Sequence, residues 1–364
     1  MNKVSTANPK VGLSIDTARQ LVDESLSDFF ASNIASAYAI DPQYAKLWES
    51  IQILMQAGGK RIRSYMTLLS YEAFGGTDVT SIIPIAAAQE LLHASLLIHD
   101  DIIDRDYIRY GVDNVSGQYD KLYASFISDN TERRHFSDSA AILAGDLLLS
   151  GGYQLLRSAP ISAASHDVAA HIFGQAIFTV AGGELLDTES AFRHFDDVDS
   201  IAIAKHKTAH YSFVTPLVMG ASLAGASASS VTKLRSLGED VGIAYQLVDD
   251  LLGVFGDEEQ TGKSNVTDIE EGKHTYLIEQ FKSMASHDEQ ERVRRILGKK
   301  SITPAEAQEF RHVLTTSGAK AHTEQAVEAY TSRALETLAS IEELSSDARE
   351  SFASLIERST RRDR

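Results

Sequence analysis

The chain has 364 residues, 43% of them hydrophobic, and carries 51 acidic against 34 basic side chains, for a net charge of −17. This excess of negative charge disfavours nucleic acid and anionic membrane surfaces as partners. Because the sequence contains no cysteine, disulfides, thiol nucleophiles and cysteine-bound zinc are excluded. Ala-rich and Leu-rich helical patterns recur while alternating strand patterns do not, which predicts an all-α fold of about a dozen or more helices.

The N-terminal region combines a polar leader with a basic motif. Residues 1–14 are polar, and we predict them to be flexible. They lack the apolar core of a signal peptide, and no unbroken apolar run reaches about 18 residues, so we expect a cytoplasmic protein without a membrane span. The motif GGKRIR, residues 58–63, places backbone amides beside cations three residues apart. Such a motif suits a diphosphate, although a solvated basic run is the commoner explanation for it in isolation.

An apolar run, residues 82–98, leads directly into the acidic motif HDDIIDRD, residues 99–106. The helical period places Asp100 and Asp104 on one face, where their carboxylates repel each other unless a cation lies between them. Mg²⁺ is commonly bound by one or two carboxylates together with waters and substrate phosphates. Acidic runs often lie on solvated faces, but the apolar run before this one favours a metal–phosphate site.

The polar, mixed-charge segment of residues 113–138 follows, and we predict an insertion there that forms a lid, an extra helix or an interface. Further along, a second apolar helical run, residues 242–257, contains the paired acids Asp249 and Asp250, with Gln246 one turn earlier. Two acidic helices facing each other across a cavity would bind several metal ions. Five carboxylates and a diphosphate are balanced by about three Mg²⁺ ions and a few basic side chains.

Basic residues for this balance occur in short motifs around the second acidic run. The motif KHKT spans residues 205–208, and two Gly-Lys pairs follow at Lys263 and Lys273. Each of these lysines also fits an ordinary loop or helix end. Only the order of all the motifs together makes a diphosphate site the better interpretation.

In this order, GGKRIR, HDDIIDRD, KTA and YQLVDDLLGVFGDEEQTGKS resemble the motif series of the trans-prenyltransferases, also called polyprenyl or isoprenyl diphosphate synthases. The resemblance covers about residues 47–273, and a tail of three amphipathic helical stretches begins near Ser301. It implies one all-α domain over residues 15–364, a large helical bundle of the isoprenoid synthase type with a central cavity. It also implies a homodimer that condenses isopentenyl diphosphate head-to-tail with an allylic diphosphate in the presence of Mg²⁺.

The resemblance assigns a role to each motif. The acids would bind the metal ions, the KHKT motif and its neighbours the allylic diphosphate and carbocation, and the glycine motif the isopentenyl diphosphate. The metal ligands are Asp100, Asp101, Asp104, Asp249 and Asp250; the allylic group includes Arg109, Lys207, Thr208, Gln246 and Lys263; the isopentenyl group includes Gly59, Lys60, Arg63, His93 and Lys273.

Product length depends on the residues that precede the first acidic motif. An isoprene unit is about as long as one helical turn, about 5 Å, so positions one or two turns before Asp100 form successive floors of the pocket. These positions are Leu92, Ser95 and Leu96. Short-chain synthases often carry an aromatic residue at the position of Ser95, so its small side chain predicts geranylgeranyl diphosphate or a longer product. We expect Ser95→Phe to shorten it.

Two positions depart from the family pattern. The paired arginines that usually follow the first motif are replaced by Arg109-Tyr110, and the second motif lacks a third aspartate, for which Asp257 is the nearest substitute. Tyr110 leaves open a non-catalytic or regulatory subunit of a two-component synthase. A class I terpene cyclase shares the first motif, but its second motif normally follows an Asn/Ser/Glu pattern, which the pair Asp249-Asp250 does not match.

Overall fold

The computed structural model describes residues 12–190, 192, 198–256 and 266–361, and the regular structure of this part of the chain is helical apart from one two-stranded ribbon. The all-α prediction is therefore confirmed. The elements in chain order are α1 (Ile15–Ile40), α2 (Pro42–Ala57), α3 (Ile62–Ala73), α4 (Val79–Asp104), β1 (Ile108–Arg109), β2 (Val112–Asp113), α5 (Val115–Tyr123), α6 (Asn130–Ser158), α7 (Ala163–Ser190), α8 (Ser200–Ile203), a π-helix (Ala204–Val214), α9 (Thr215–Leu223), α10 (Ala228–Phe255), α11 (Thr267–Glu271), α12 (Tyr276–Met284), α13 (His287–Arg294), α14 (Pro304–Thr316), α15 (Ala319–Ala339) and α16 (Ser346–Thr360).

The chain folds into two compact units. Unit 1 contains the described residues up to Phe173 together with Met219–Gly225, and unit 2 contains Gly174–Val218 and the described residues from Ala226 onward. The first acidic motif and the glycine motif belong to unit 1, and the KHKT motif and the second acidic motif belong to unit 2. The single-domain boundary at residue 15 stays a prediction.

Helix α4 is the central helix of unit 1 and packs along α6. Asp78 caps its first turn by accepting a hydrogen bond from the Ser81 amide, and most of its apolar side chains are buried. Gly145 of α6 permits close approach, since a methyl group there would lie 2.1 Å from the His99 ring. This packing fixes the C-terminal turns of α4, which carry the first acidic motif.

Helix α10 is the corresponding element of unit 2, where it packs against α15 and the π-helix. Gly242 faces the backbone of the π-helix, and a methyl group there would lie 2.3 Å from Ala209. Leu247 and Leu251 contribute to a buried cluster with Leu277 and Phe281. The apolar face of α10 is thereby anchored, and its polar face carries Gln246, Asp249 and Asp250.

The segment of residues 113–138 includes β2, α5 and the first turns of α6. Helix α5 packs on α6 through Tyr119, Tyr123 and Phe136, with the rings of Tyr123 and Phe136 4.7 Å apart. The segment thus contributes a helix to unit 1; a lid or interface role stays a prediction. The predicted helical tail corresponds to α14, α15 and α16.

Three helices, α4, α6 and α7, are long and apolar enough to cross a membrane by length and composition. Their most apolar windows are buried within the protein to 72%, 50% and 28%, respectively. The sequence prediction requires an unbroken apolar run, and isolated polar side chains interrupt such a run in these helices. Hydropathy averaged over a window tolerates those polar side chains and therefore identifies the helices. Burial explains the apolar character of α4, whereas most of the apolar window of α7 lies on the surface.

Candidate active site

The first three acids of the first motif, Asp100, Asp101 and Asp104, occupy the last turns of α4, which ends at Asp104. A helix C-terminus carries partial negative charge, so carboxylates there are destabilised unless cations compensate them. Asp100 and Asp104 are half-buried on one face, whereas Asp101 is 2% exposed and lies on another. Burial is the main cause that raises the pKa of Asp101 to about 6. The motif therefore separates into an accessible pair and one buried carboxylate.

Arg109 provides the compensating charge for the buried carboxylate. Its Nε donates to Asp101 Oδ1 at 2.8 Å, its Nη2 donates to the same oxygen, and Nη2 lies 3.5 Å from Asp100 Oδ2. The β1–β2 hairpin turns at Tyr110 and Gly111, whose φ angles are 55° and 76°. This tight turn directs Arg109 inward. The predicted diphosphate ligand Arg109 thus has a carboxylate partner within its own unit.

The glycine motif links α2 to α3. Arg61 is the cation of this loop with internal partners: its Nε donates to Asp23 at 2.8 Å, its Nη2 donates to the Met55 carbonyl at 2.9 Å, and its Nη1 lies 3.9 Å from Glu90. Lys60 is exposed and Arg63 is half-buried. Neither Arg61 nor Glu90 is assigned a role by the sequence motifs; the loop therefore has an internal anchor as well as two predicted diphosphate ligands.

His93 lies on α4 in the same electrostatic neighbourhood. Burial lowers its pKa well below the usual value, and the positive charges of Arg63, Arg109 and Arg61 lower it further. His93 is therefore neutral at physiological pH and can donate one hydrogen bond and accept another. Unit 1 thus brings together three predicted substrate residues, Arg63, His93 and Arg109.

The predicted chain-length residues have different environments. The Ser95 hydroxyl is buried and donates to the Gly145 carbonyl of α6 at 2.9 Å. Leu92 is fully buried, whereas Leu96 is partly exposed and precedes Asp100 by one turn. Leu96 therefore shares the face of the accessible acids, and Ser95 lies at the contact between two helices.

In unit 2 the predicted polar residues form a chain of hydrogen bonds. The Thr208 hydroxyl donates to Gln246 Oε1 at 2.6 Å, and Gln246 Nε2 donates to Asp250 Oδ1 at 2.9 Å. Burial raises the pKa of Asp250 to about 8, and the nearby carboxylates of Asp268, Asp249 and Asp187 raise it further against the effect of Gln246. This crowding of carboxylates favours a bound cation.

Lys207 lies in the π-helix and pairs with two acids of α7. Its Nζ lies 2.5 Å from Asp187 and 3.2 Å from Glu184. Neither acid is among the predicted site residues; their spacing of three residues near the end of an apolar helix is the signal that could have identified them. Lys273 lies 2.7 Å from Glu271 and 3.6 Å from Asp268. Lys263 and Asp257 lie outside the described residues.

The donors fit Mg²⁺, which prefers oxygen ligands and retains sites for water and phosphate. Both acidic motifs offer carboxylate oxygens. Within residues 12–256 and 266–361, apart from the gaps already given, no group of three or more acidic or histidine side chains is arranged to bind a metal ion by itself. Substrate oxygens would complete the coordination in such a site.

Comparison with known proteins identifies the family. Residues 45–314 match the polyprenyl synthetase family model. The geranylgeranyl diphosphate synthase of Sulfolobus acidocaldarius is 34% identical over 76% of this chain and 78% of its own length, and the geranylfarnesyl diphosphate synthase of Aeropyrum pernix is 29% identical over 84% and 90%. A solved geranylgeranyl pyrophosphate synthase from Corynebacterium glutamicum, complexed with isoprenyl diphosphate and magnesium, matches with a TM-score of 0.89 at 30% identity, covering 96% of this chain and all of that one. The predicted resemblance is confirmed: this chain belongs to the polyprenyl synthetase family of trans-prenyltransferases.

Proposed function

We propose that the protein is a Mg²⁺-dependent prenyltransferase that condenses isopentenyl diphosphate head-to-tail with an allylic diphosphate. The observation that carries this proposal is the juxtaposition, in unit 1, of the accessible acids of α4 with Arg63, His93 and Arg109. Carboxylates suit the metal ions of an allylic diphosphate, while cations and a neutral histidine suit a second diphosphate. Family membership adds the reaction type.

Asp100 and Asp104 would be direct Mg²⁺ ligands in unit 1, and Asp249, with Asp250 beside it, would be a direct ligand in unit 2. Charge balance predicts about three ions in all. Bound Mg²⁺ supplies Lewis-acid stabilisation of the leaving diphosphate. In unit 1, Asp101 keeps Arg109 in position, and in unit 2, Lys207 would add positive charge for a diphosphate leaving group. The Thr208–Gln246–Asp250 chain presents oriented dipoles to the allylic cation.

The isopentenyl group would be bound by Lys60, Arg63 and His93, with Gly59 shaping the loop and Lys273 contributing charge. The allylic C1–O bond breaks, the isopentenyl double bond attacks C1 to form a new carbon–carbon bond, and a proton leaves from the isopentenyl C2. The released diphosphate accepts that proton. No side-chain general base is needed.

The product is geranylgeranyl diphosphate or longer. The relatives named for geranylgeranyl and geranylfarnesyl products support this length. Because Ser95 contacts α6 while Leu96 shares the Asp100 face, Leu96→Phe should shorten the product on chromatography and Ser95→Ala should leave it unchanged. If the parent protein, Leu96→Phe and Ser95→Ala give products of the same length, α4 does not determine product length.

A second copy of this chain is the partner we propose. Exposed apolar side chains project from α6 at Ile142 and Leu143, and from α7 at Phe178 and Leu185. Exposed apolar side chains of this kind mark interfaces. Most of the apolar window of α7 lies on the surface, which favours a partner that buries it. The net negative charge disfavours an anionic membrane as the partner that buries these side chains, so we propose a cytoplasmic homodimer.

The activity is tested with the purified chain, Mg²⁺, isopentenyl diphosphate and an allylic primer. We expect turnover to stop when a chelator removes Mg²⁺, and Asp100→Asn to reduce kcat by about 100-fold or more. Asp106→Asn, which changes the last acid of HDDIIDRD two residues beyond the end of α4, is the control and should retain activity. Turnover that survives chelation would contradict the proposal; cyclic hydrocarbon would indicate a cyclase, and turnover only with a partner protein would indicate a subunit.

A further inference from the structure

Two loops of unit 1 meet at one aromatic ring. Tyr110 occupies the β1–β2 turn, and its ring fills the space next to Gly58, where a methyl group would lie 2.7 Å from the ring carbons Cγ and Cδ2. The backbone of Gly58, with φ −159° and ψ 175°, is extended and open to any residue. The tyrosine ring, rather than backbone strain, therefore requires glycine at this position.

The opposite side of the same loop is held by Arg61. Gly59 has a φ of 117°, and a methyl group there would lie 2.7 Å from Arg61 Nη1. The Arg61 guanidinium is held by Asp23, by the Met55 carbonyl and by Glu90. Two acids compensate its charge, which makes Arg61 an anchor rather than an anion ligand. Lys60 lies between the two contacts and is exposed.

We propose that Tyr110 is a positioning residue for isopentenyl diphosphate: its ring packs on Gly58 and orients the loop that presents Lys60 and Arg63. This inference rests on the proposed function. At this position the family motif usually carries a second arginine. Here an aromatic contact replaces a charge, so the site would bind diphosphate through a preorganised loop with one cation fewer.

Kinetics of three variants test this role. Because aromatic packing is lost, Tyr110→Ala should raise the KM for isopentenyl diphosphate by about tenfold while the KM for the allylic primer and kcat stay within about twofold. Tyr110→Phe keeps the ring and should resemble the parent protein. Tyr38→Ala is the matched control, since Tyr38 is 50% exposed against 47% for Tyr110 and bonds to Glu49.

A double-mutant cycle examines the contact from the other side. Gly58→Ala places a methyl group against the ring and should also raise the KM for isopentenyl diphosphate, whereas the double variant with Tyr110→Ala should be no worse than Tyr110→Ala alone. Additive effects, or a Tyr110→Ala protein with an unchanged KM, would overturn the proposal. Equal increases in both KM values would do the same, because they indicate general distortion.

Amide hydrogen exchange separates this inference from the proposed function. Residues 57–61 should exchange about tenfold faster in Tyr110→Ala than in Tyr110→Phe, with exchange in α15 unchanged as the internal reference. Faster exchange in a chain that never elongates a primer would refute the activity but retain the loop contact. Unchanged exchange would refute the contact even in an active enzyme.

Discussion

Asp101 and Asp104 lie in the same helical run but have different surroundings. Asp101 is 2% exposed and bonded to Arg109, while Asp104 is half-buried at the end of α4. The spacing of the motif predicts the shared face of Asp100 and Asp104 but not the partner of the intervening acid. That partner depends on a hairpin turn that brings back a residue eight positions later.

This difference predicts opposite patterns for two substitutions. Asp101→Asn removes the closest charged partner of the buried Arg109 guanidinium, leaves only the 3.5 Å contact to Asp100, and should lower the free energy of unfolding by about 3 kcal/mol. Asp104→Asn removes a negative charge from a helix C-terminus and should change that free energy by less than about 1 kcal/mol. Denaturant unfolding of the two variants measures both values. An equal loss of stability in the two variants would show that the different burial of Asp101 and Asp104 does not give them different contributions to stability.

Activity should follow a different pattern. Asp104→Asn keeps its fold but loses a metal ligand, so kcat should fall by about 100-fold or more. A stable and fully active Asp104→Asn protein would contradict the assigned ligand role.

The two helical elements α7 and the π-helix come into close contact at Gly183. A methyl group there would lie 2.2 Å from the Lys207 backbone nitrogen and 2.5 Å from the carbonyl carbon of His206. The same contact brings Lys207 to Asp187 and Glu184 on α7. Helical periodicity alone does not predict an 11-residue π-helix, which packs along α10 and contacts α7 at Gly183.

Adjacent glycines provide a matched pair for testing this approach. Gly183→Ala should lower the free energy of unfolding by about 2–3 kcal/mol and reduce activity, because backbone atoms of the π-helix must move away. Gly182 has open space around it, so Gly182→Ala should be neutral or stabilise the protein by up to about 1 kcal/mol. Thermal or denaturant unfolding compares the two. Equal effects would indicate helix propensity rather than close packing.

The π-helix also contains His210, whose Nδ1 is buried without a hydrogen-bond partner in the described part of the chain. Burial lowers its pKa to about 4, and the charges of Arg235, His206 and Lys205 lower it further against the effect of Glu239. Between its usual value of 6.5 and about 4, the unfolded chain binds a proton here that the folded protein does not. This group therefore makes stability fall as the pH decreases through that range.

His210→Gln should remove this contribution. The free energy of unfolding of the parent protein should decrease from about pH 7.5 to about pH 5. In His210→Gln this decrease should be smaller by about 1 kcal/mol, a value that allows for the partial exposure of His210. Urea unfolding at the two pH values gives the difference, and His287→Gln at an exposed site is the control. An unchanged pH dependence would show that His210 titrates alike in both states.

At the scale of the whole molecule, the sequence allows prediction of the fold class and the elements that carry the acids. It also predicts residues that the structure then brings together, such as Thr208, Gln246 and Asp250. The Lys207–Asp187 pair was missed because it joins two helices whose packing is decided by Gly183. The role of Arg61 was missed because a basic motif does not reveal which of its cations has internal acid partners.

Substitution of an exposed phenylalanine tests whether the whole molecule forms a homodimer. Phe178 of α7 and Phe126 of the α5–α6 connection are both 78% exposed, so they offer a matched comparison. Phe178→Glu should shift the protein from dimer to monomer because it places a charge in the proposed interface, whereas Phe126→Glu should remain dimeric. Sedimentation or light scattering measures the mass. A monomeric parent protein would contradict the proposed partner.

We expect this chain alone to elongate an allylic diphosphate. The most direct measurement is chromatography of the products formed by the purified protein with labelled isopentenyl diphosphate, farnesyl diphosphate and Mg²⁺, after removal of the diphosphate group. We predict linear trans products of geranylgeranyl length or longer, absent without Mg²⁺. Absence of any elongated product with every allylic primer, or the appearance of cyclic hydrocarbons instead, would contradict it.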